Sequence, residues 1–277
     1  MSPGRPLDIR FLGHSTVLLE LDGLRILTDP VLRPWIGALR RHVPAHDPTA
    51  ETVDVVLISH GHNDHLDLPS LRLLKGTPLL IVPRGLGQLV RKAGFDRVTE
   101  VVPEDRVQVA PGVAVQAFPA VHDGSRPLGP RAVALGFVIE GSSSVYFAGD
   151  TDIFPEMARL RDRMDVALLP VWGWGPNIGP GHLNPSRASL AVELMRPRLS
   201  IPIHWGTLFP IGLKRMLPDR LSAPPLDFAR FVASLQTPHE VRILQPGEEM
   251  RLAGRGVPDT EPANQPIEPG DPIEPNT

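Results

Sequence analysis

The chain has 277 residues, enough for one large domain or two small ones, and its 42% apolar and 21% charged residues exclude a fibrous or wholly disordered chain. It has no cysteine, which removes disulfides, thiolate nucleophiles, iron–sulfur clusters and sulfur-dependent zinc sites, so any metal must be held by imidazole and oxygen. A formal net charge of −3, with no long run of Lys or Arg, lacks the electrostatic footprint of a nucleic-acid binder, and no nucleic-acid partner is expected.

Taken in chain order, residues 7–20 hold Asp8, Arg10, His14 and Glu20, which interrupt any apolar run long enough for an export signal. The longest apolar stretches fall far short of the ~18 residues that cross a bilayer. The expectation is a cytoplasmic protein with no transmembrane segment. Strands are predicted over 7–12, 17–21 and 24–27, with Asp22-Gly23 supplying hairpin chemistry between the last two. Further Val- and Ile-rich strands follow over 53–59, 79–82, 113–118, 132–140, 145–148, 166–169, 199–203 and 241–244. Helices are predicted over 69–75, 85–93, 153–160, 185–195 and 226–235, the fourth opened by Asn184 as N-cap and Pro185 at N1. Two runs of strands interleaved with helices point to a layered α/β or α+β architecture with two packed sheets. Over 254–277 six prolines alternate with acids, a composition that cannot pack a core. That stretch is expected to be a disordered tail, leaving 1–253 as the folded domain.

The most informative stretch is Ser59-His60-Gly61-His62-Asn63-Asp64-His65, where an apolar strand runs straight into three imidazoles and a carboxylate. Clustering so many polar groups costs several kcal/mol unless something satisfies them, and a divalent cation does so well. Gly61 lets the backbone turn so that His60 and His62 approach one ion while Asp64 and His65 are directed elsewhere. His122, Asp150 and His204 each follow the C-terminal end of another apolar run, where loops of layered α/β proteins build sites. Singly, each has an ordinary explanation, such as Asp150 capping the next helix. Together, four strand ends offer nitrogen and oxygen donors to one place.

These residues, with Phe11-Leu12-Gly13-His14-Ser15-Thr16, Leu27-Thr28-Asp29-Pro30, Pro119-Ala120-Val121-His122, Phe147-Ala148-Gly149-Asp150-Thr151, Gly181-His182-Leu183-Asn184-Pro185 and Ile203-His204-Trp205-Gly206-Thr207, resemble the metallo-β-lactamase superfamily of binuclear metal hydrolases. The flanking motifs are most similar to the branch containing N-acyl-phosphatidylethanolamine-hydrolysing phospholipase D and ascorbate-6-phosphate lactonase. The resemblance implies an α+β fold, a four-layer αβ/βα sandwich with two ions at one edge of the central sheets. It assigns His60, His62 and His122 to one ion and Asp64, His65 and His204 to the other, with Asp150 bridging. The ions implied are zinc, with manganese or iron also accommodated by nitrogen and oxygen donors.

In this family two ions ready a bridging hydroxide for attack, so no protein nucleophile is required, in keeping with the absence of cysteine. The resemblance implies catalytic roles for Asp64 and for His182, which would protonate the leaving group or hold its oxyanion, with His14 and Asp29 orienting ligands from behind. Residues 31–42 and 208–217 mix apolar and cationic side chains and are expected to shape the pocket for a small-molecule or lipid substrate with an anionic group. His42, His46 and His239 stand alone and read as surface residues. A phosphodiester or phospholipid-like substrate is favoured. A lactonase or other ester or amide hydrolase, a di-iron redox enzyme and a non-catalytic metal-stabilised module are the alternatives; β-lactam hydrolysis and RNA processing are disfavoured.

Overall fold

Val55, Val56, Leu57 and Ile58 are all buried, yet alternate side chains belong to different cores: Val55 and Leu57 point to one cluster, Val56 and Ile58 to another. A strand with period-two side chains can do this only when it is covered on both faces, which is why the run is continuously apolar. The computed structural model describes residues 5–44, 52–173, 175 and 178–254. The proline-rich stretch from 255 onward and His46 lie outside the described residues.

The strands in chain order are β1 (Leu7–Gly13), β2 (Thr16–Leu21), β3 (Leu24–Thr28), β4 (Trp35–Ile36), β5 (Leu39–Arg41), β6 (Val55–Leu57), β7 (Leu79–Pro83), β8 (Val98–Val101), β9 (Arg106–Ala110), β10 (Val113–Asp123), β11 (Val133–Glu140), β12 (Ser144–Phe147), β13 (Val166–Pro170), β14 (Leu199–Ile203), β15 (Leu208–Pro210), β16 (Glu240–Val241) and β17 (Glu249–Leu252). One sheet has the order β17-β1-β2-β3-β6-β7-β8 and a second the order β16-β14-β13-β12-β11-β10-β9. Each is antiparallel through four strands and parallel through the rest, so the halves of the chain build the same pattern twice. A small third sheet, β15-β5-β4, stands beside them.

The main core holds Ile9, Phe11, Leu57 and Ile81 of the first sheet with Val115, Phe137, Phe147 and Leu168 of the second, so the two sheets pack face to face. Helices α1 (Leu68–Leu71) and α2 (Gly87–Lys92) cover the outer face of the first sheet, where Leu71 and Val90 meet Leu27, Val56 and Leu80. Helices α3 (Pro185–Met195) and α4 (Ala223–Ala233) cover the second through Ala188, Val192, Phe228 and Val232. The result is the four-layer αβ/βα sandwich.

Several elements differ from expectation for local reasons. The helix predicted over 153–160 is a 3₁₀ helix over Pro155–Leu160. Its buried residues, Met157 and Leu160, are three apart, which matches three residues per turn. The strand predicted over 241–244 shrinks to two residues in β16, and the helix over 69–75 to the four of α1. β4, β5, β8, β9, β15 and β17 lie outside the expected strands: all are five residues or fewer, and although β9 and β17 alternate polar and apolar side chains, neither carries the continuous apolar run that marks a strand buried on both faces. β17 closes the first sheet by pairing with β1, Leu7 opposite Leu252.

Phe137 is fully buried between the sheets, whereas Leu226 on α4 is 52% exposed. Phe137→Ala should therefore cost about 3–5 kcal/mol in urea unfolding and Leu226→Ala under about 0.5 kcal/mol. Equal costs would contradict this placement of the core.

Candidate metal centre

The metal-type donors singled out from the sequence lie at or near the C-terminal ends of strands, and the two sheets bring these ends to one edge, while His182 lies in the loop before α3. His14 follows β1, Asp29 follows β3, the His60–His65 turn follows β6, Asp150 follows β12 and His204 follows β14. His122 sits inside β10, after the register shift between Pro119 and Asp123. Gly61 is required in the turn: a Cβ there would lie 2.9 Å from the Arg126 nitrogen and the Gly124 oxygen.

The donor atoms form two groups. His60 Nε2 and His122 Nε2 lie 3.0 and 3.2 Å from His62 Nδ1. In the second group His65 Nε2 lies 3.1 Å from His204 Nε2 and 3.8 Å from Asp64 Oδ2. Asp150 lies between the groups, with Oδ2 3.3 Å from His65 Nε2 and Oδ1 3.3 Å from His204 Nε2, and within 4.8 Å of the His122 donor. His14 Nε2 is 3.1 Å from Asp64 Oδ2, which brings it inside the donor cluster as well.

What aims these atoms is the opposite edge of each ring. His60 Nδ1 meets Ser59 Oγ at 2.9 Å, His65 Nδ1 meets Asp29 Oδ2 at 2.7 Å, His122 Nδ1 donates to the Gly181 carbonyl at 3.0 Å and His204 Nδ1 to the Trp172 carbonyl at 2.7 Å. A proton fixed at Nδ1 leaves the Nε2 lone pair facing inward. Asp29 is fixed in turn by the Ser59 amide at 2.7 Å and the Ser59 hydroxyl at 2.5 Å. Glycine suits position 181, where φ is +78° and a Cβ would sit a tight 3.2 Å from the Val121 carbonyl oxygen and 3.3 Å from His122 Nδ1. Sequence reasoning did not find Ser59, Thr207, which accepts the His14 amide at 2.8 Å, or the Trp172 and Gly181 carbonyls. Ser59 had a signal, its place directly before His60 at a strand end; backbone carbonyls have none.

Burial shapes the protonation of the cluster. It pushes the pKa of His60 well below the ordinary value, that of His122 down to about 4 and that of His204 down to about 3. For His65 burial acts the same way but is outweighed by the Asp150 and Asp64 carboxylates, which hold its pKa well above 6.5. Burial alone would raise Asp150, and His204 and His65 outweigh it, keeping the carboxylate ionised. Asp29, fully buried, is raised by desolvation despite its bond to His65.

These residues suit a divalent cation. Imidazole lone pairs facing one another at 3.0–3.2 Å repel unless a proton or cation stands between them. Asp150 Oδ1 is a buried carboxylate oxygen with no hydrogen-bond partner among the described residues. Nitrogen and carboxylate donors match zinc, manganese or iron.

The cluster opens into a cavity of about 430 Å³, with Ile36, Leu39 and Ile178 on its apolar wall and His62, Asp150 and His182 among its polar groups. His182 Nε2 is 3.6 Å from Asp150 Oδ2, its ring 4.6 Å from that of His122, and its side chain 26% exposed. Of the two segments expected to shape the pocket, only 31–42 reaches the lining, through Ile36, Gly37 and Leu39, and no Lys or Arg lines the cavity among the described residues. His42 and His239 are half-buried rather than freely exposed.

Three comparisons bear on this arrangement. The family described as Beta-lactamase superfamily domain matches residues 24–205. A UPF0173 metal-dependent hydrolase of Methanopyrus kandleri is 33% identical over 254 residues, covering 87% of this chain and 98% of the relative. The mitochondrial N-acyl-phosphatidylethanolamine-hydrolyzing phospholipase D of Saccharomyces cerevisiae is 30% identical over 224 residues, 73% of this chain but only 48% of that relative's length. Among solved structures, Igni18, a metallo hydrolase from Ignicoccus hospitalis, superposes with a TM-score of 0.69 at 25% identity, covering 90% of this chain and 99% of the other.

Two outcomes follow for the metal-free protein. The unfolded imidazoles of His122 and His204 take up protons near pH 6.5, whereas the folded ones resist until about 4 and 3, so their contribution to stability is complete above 6.5 and is lost as the pH falls. His65, raised in the fold, is charged in both states below 6.5 and adds no slope there. The melting temperature should fall steadily from pH 6.5 to pH 4, and a flat profile would contradict it. At pH 7 metal uptake should expel about one proton, that of His65, read by calorimetry in buffers of different ionisation enthalpy.

Proposed function

The chain belongs to the metallo-β-lactamase superfamily of metal-dependent hydrolases, and from that premise we propose that it is a binuclear enzyme whose favoured substrate is a phosphodiester of phospholipid type. The observation that carries the binuclear reading is Asp150: one buried carboxylate between two converging donor groups, with an oxygen that no hydrogen bond among the described residues satisfies. His60 Nε2, His62 Nδ1 and His122 Nε2 would hold one ion and Asp64, His65 and His204 the other, with Asp150 shared and zinc the favoured metal. Held there, such ions would supply acidified water at neutral pH and polarisation of the substrate oxygen.

The remaining work falls to the chain's own groups. His14, with Nε2 3.1 Å from Asp64 Oδ2, and Asp29, bonded to His65 Nδ1, hold their partners from behind. Asp64 keeps its ionised form against burial through His65 and His14, so its negative charge is present at neutral pH. His182 Nδ1 lies 3.2 Å from the Gly179 and Pro180 carbonyls while Nε2 faces Asp150 and the cavity, which puts a ring nitrogen where a leaving oxygen would depart. The apolar wall of Ile36, Leu39 and Ile178 excludes water around it and suits an acyl or other greasy body.

Support for the phosphodiester comes from two phospholipase D relatives, from Saccharomyces cerevisiae and Caenorhabditis elegans, at 30% and 31% identity. A second substrate class, a neutral lactone or carboxylic ester, is favoured by the lack of Lys and Arg in the described cavity lining. Turnover of bis-p-nitrophenyl phosphate and N-acyl-phosphatidylethanolamine against a panel of lactones separates them; lactone hydrolysis alone would overturn the phosphodiester assignment.

Asp150→Ala should lose metal and activity together, by elemental analysis and turnover; retained metal would refute the bridging role. His182→Ala should keep its metal while kcat falls by about 10²–10⁴-fold. Unchanged kcat would remove His182 from the chemistry.

A further inference from the structure

The cations of 31–42 and 208–217 stay outside the cavity, and their arrangement has a direction. In the hairpin of β4 and β5, Trp35 pairs with Arg40 and Ile36 with Leu39. Ile36 and Leu39 face inward to the cavity, whereas Trp35 is 51% exposed and carries the Arg40 guanidinium 5.8 Å above its ring. β15 extends this sheet, and beyond it Ile211, bonded through its amide to the Ala38 carbonyl, is 60% exposed. The 3₁₀ turn Leu213–Arg215 follows, with Lys214, Arg215 and then Met216 exposed. Arg40 stands opposite Phe209 in the β5–β15 pair, five residues before Lys214, and both cations act on the His42 ring, lowering its pKa after burial. Neither segment contains an acid. Of the other cations there, Arg33 is paired with Asp67 and Arg41 is buried against the Val31 and Leu12 carbonyls. Among the described residues, Arg40, Lys214 and Arg215 have no carboxylate partner.

We propose that this outward face of the β15-β5-β4 sheet and its following turn docks on an anionic lipid bilayer, bringing the cavity mouth beside the membrane surface. An exposed tryptophan, an exposed isoleucine and methionine, and three cations without a carboxylate partner among the described residues, carried by the small sheet whose Ile36 and Leu39 line the cavity and by the turn that follows it, form an interfacial anchor: the ring and alkyl groups enter the headgroup layer while the cations meet lipid phosphates. Charge complementarity selects the bilayer, since the patch is cationic on a chain of net charge −3. The docking gives the phospholipid reading above its purpose and rests on it there, but binding is measured without turnover, so either can fail alone.

The test is sedimentation of the full chain with vesicles of phosphatidylcholine alone or mixed with phosphatidylglycerol, at low and high salt. Binding is expected to the mixed vesicles, weakened by salt. Neutralising Arg40, Lys214 and Arg215 to Gln should lower the partition coefficient on the order of 100-fold, at about fivefold per cation, while hydrolysis of a soluble substrate stays unchanged. Trp35 should contribute a blue shift on vesicle addition that Trp35→Phe removes. Equal binding of the triple variant, no binding to either vesicle at low salt, or binding only to soluble acidic proteins would overturn the proposal.

Discussion

Five imidazoles and two carboxylates are held with their donor atoms a few ångströms apart, and this is the constraint on which the other features depend. Nitrogen lone pairs aimed at one another at 3.0–3.2 Å are unfavourable in isolation. The arrangement persists because the far side of each anchored ring is tied to a hydroxyl, a carboxylate or a carbonyl. Asp29 and Ser59 are central to that outer layer, since each touches more than one member of the network.

The backbone carries part of the same burden. His14, Asp29 and His204 adopt left-handed φ of 56°, 32° and 63°, a region that non-glycine residues enter at a cost of order 1–3 kcal/mol. Such residues are tolerated where the surroundings over-determine them. Here the His204 amide bonds the His14 carbonyl at 2.7 Å, and the His14 ring lies 3.9 Å from that of His204. Strain at the strand ends is balanced by two sheets whose facing residues are almost wholly buried.

The clustered donors and the longer buried strands were both legible in the sequence, and the short strands between them were not. His60, His62, Asp64 and His65 stand out because four metal-type donors follow an apolar strand, and His122, Asp150 and His204 because each follows another. Buried strands such as 166–169 are visible for the same reason: two-sided burial leaves a continuous apolar run. β4, β5 and β15 escape detection because they are two or three residues long and broken by Pro34, Gly37 and Pro210. The inward direction of Ile36 and Leu39 against the outward direction of Arg40 depends on a pairing that only the folded hairpin reveals. The Trp172 and Gly181 carbonyls could not be read at all, because every residue type presents the same oxygen.

Those two carbonyls belong to the segment that also walls the cavity. The Trp172 indole closes on the Gly175 carbonyl at 3.2 Å, Gly173 and Gly179 line the cavity, and the same stretch supplies the anchors of His122 and His204. A change that reshapes this segment for a new substrate therefore also disturbs two metal-type donors. Selectivity and cation affinity cannot drift independently in this protein, and lineages acquiring new substrates would have to keep the Trp172 and Gly181 carbonyls in place while altering the cavity wall beside them.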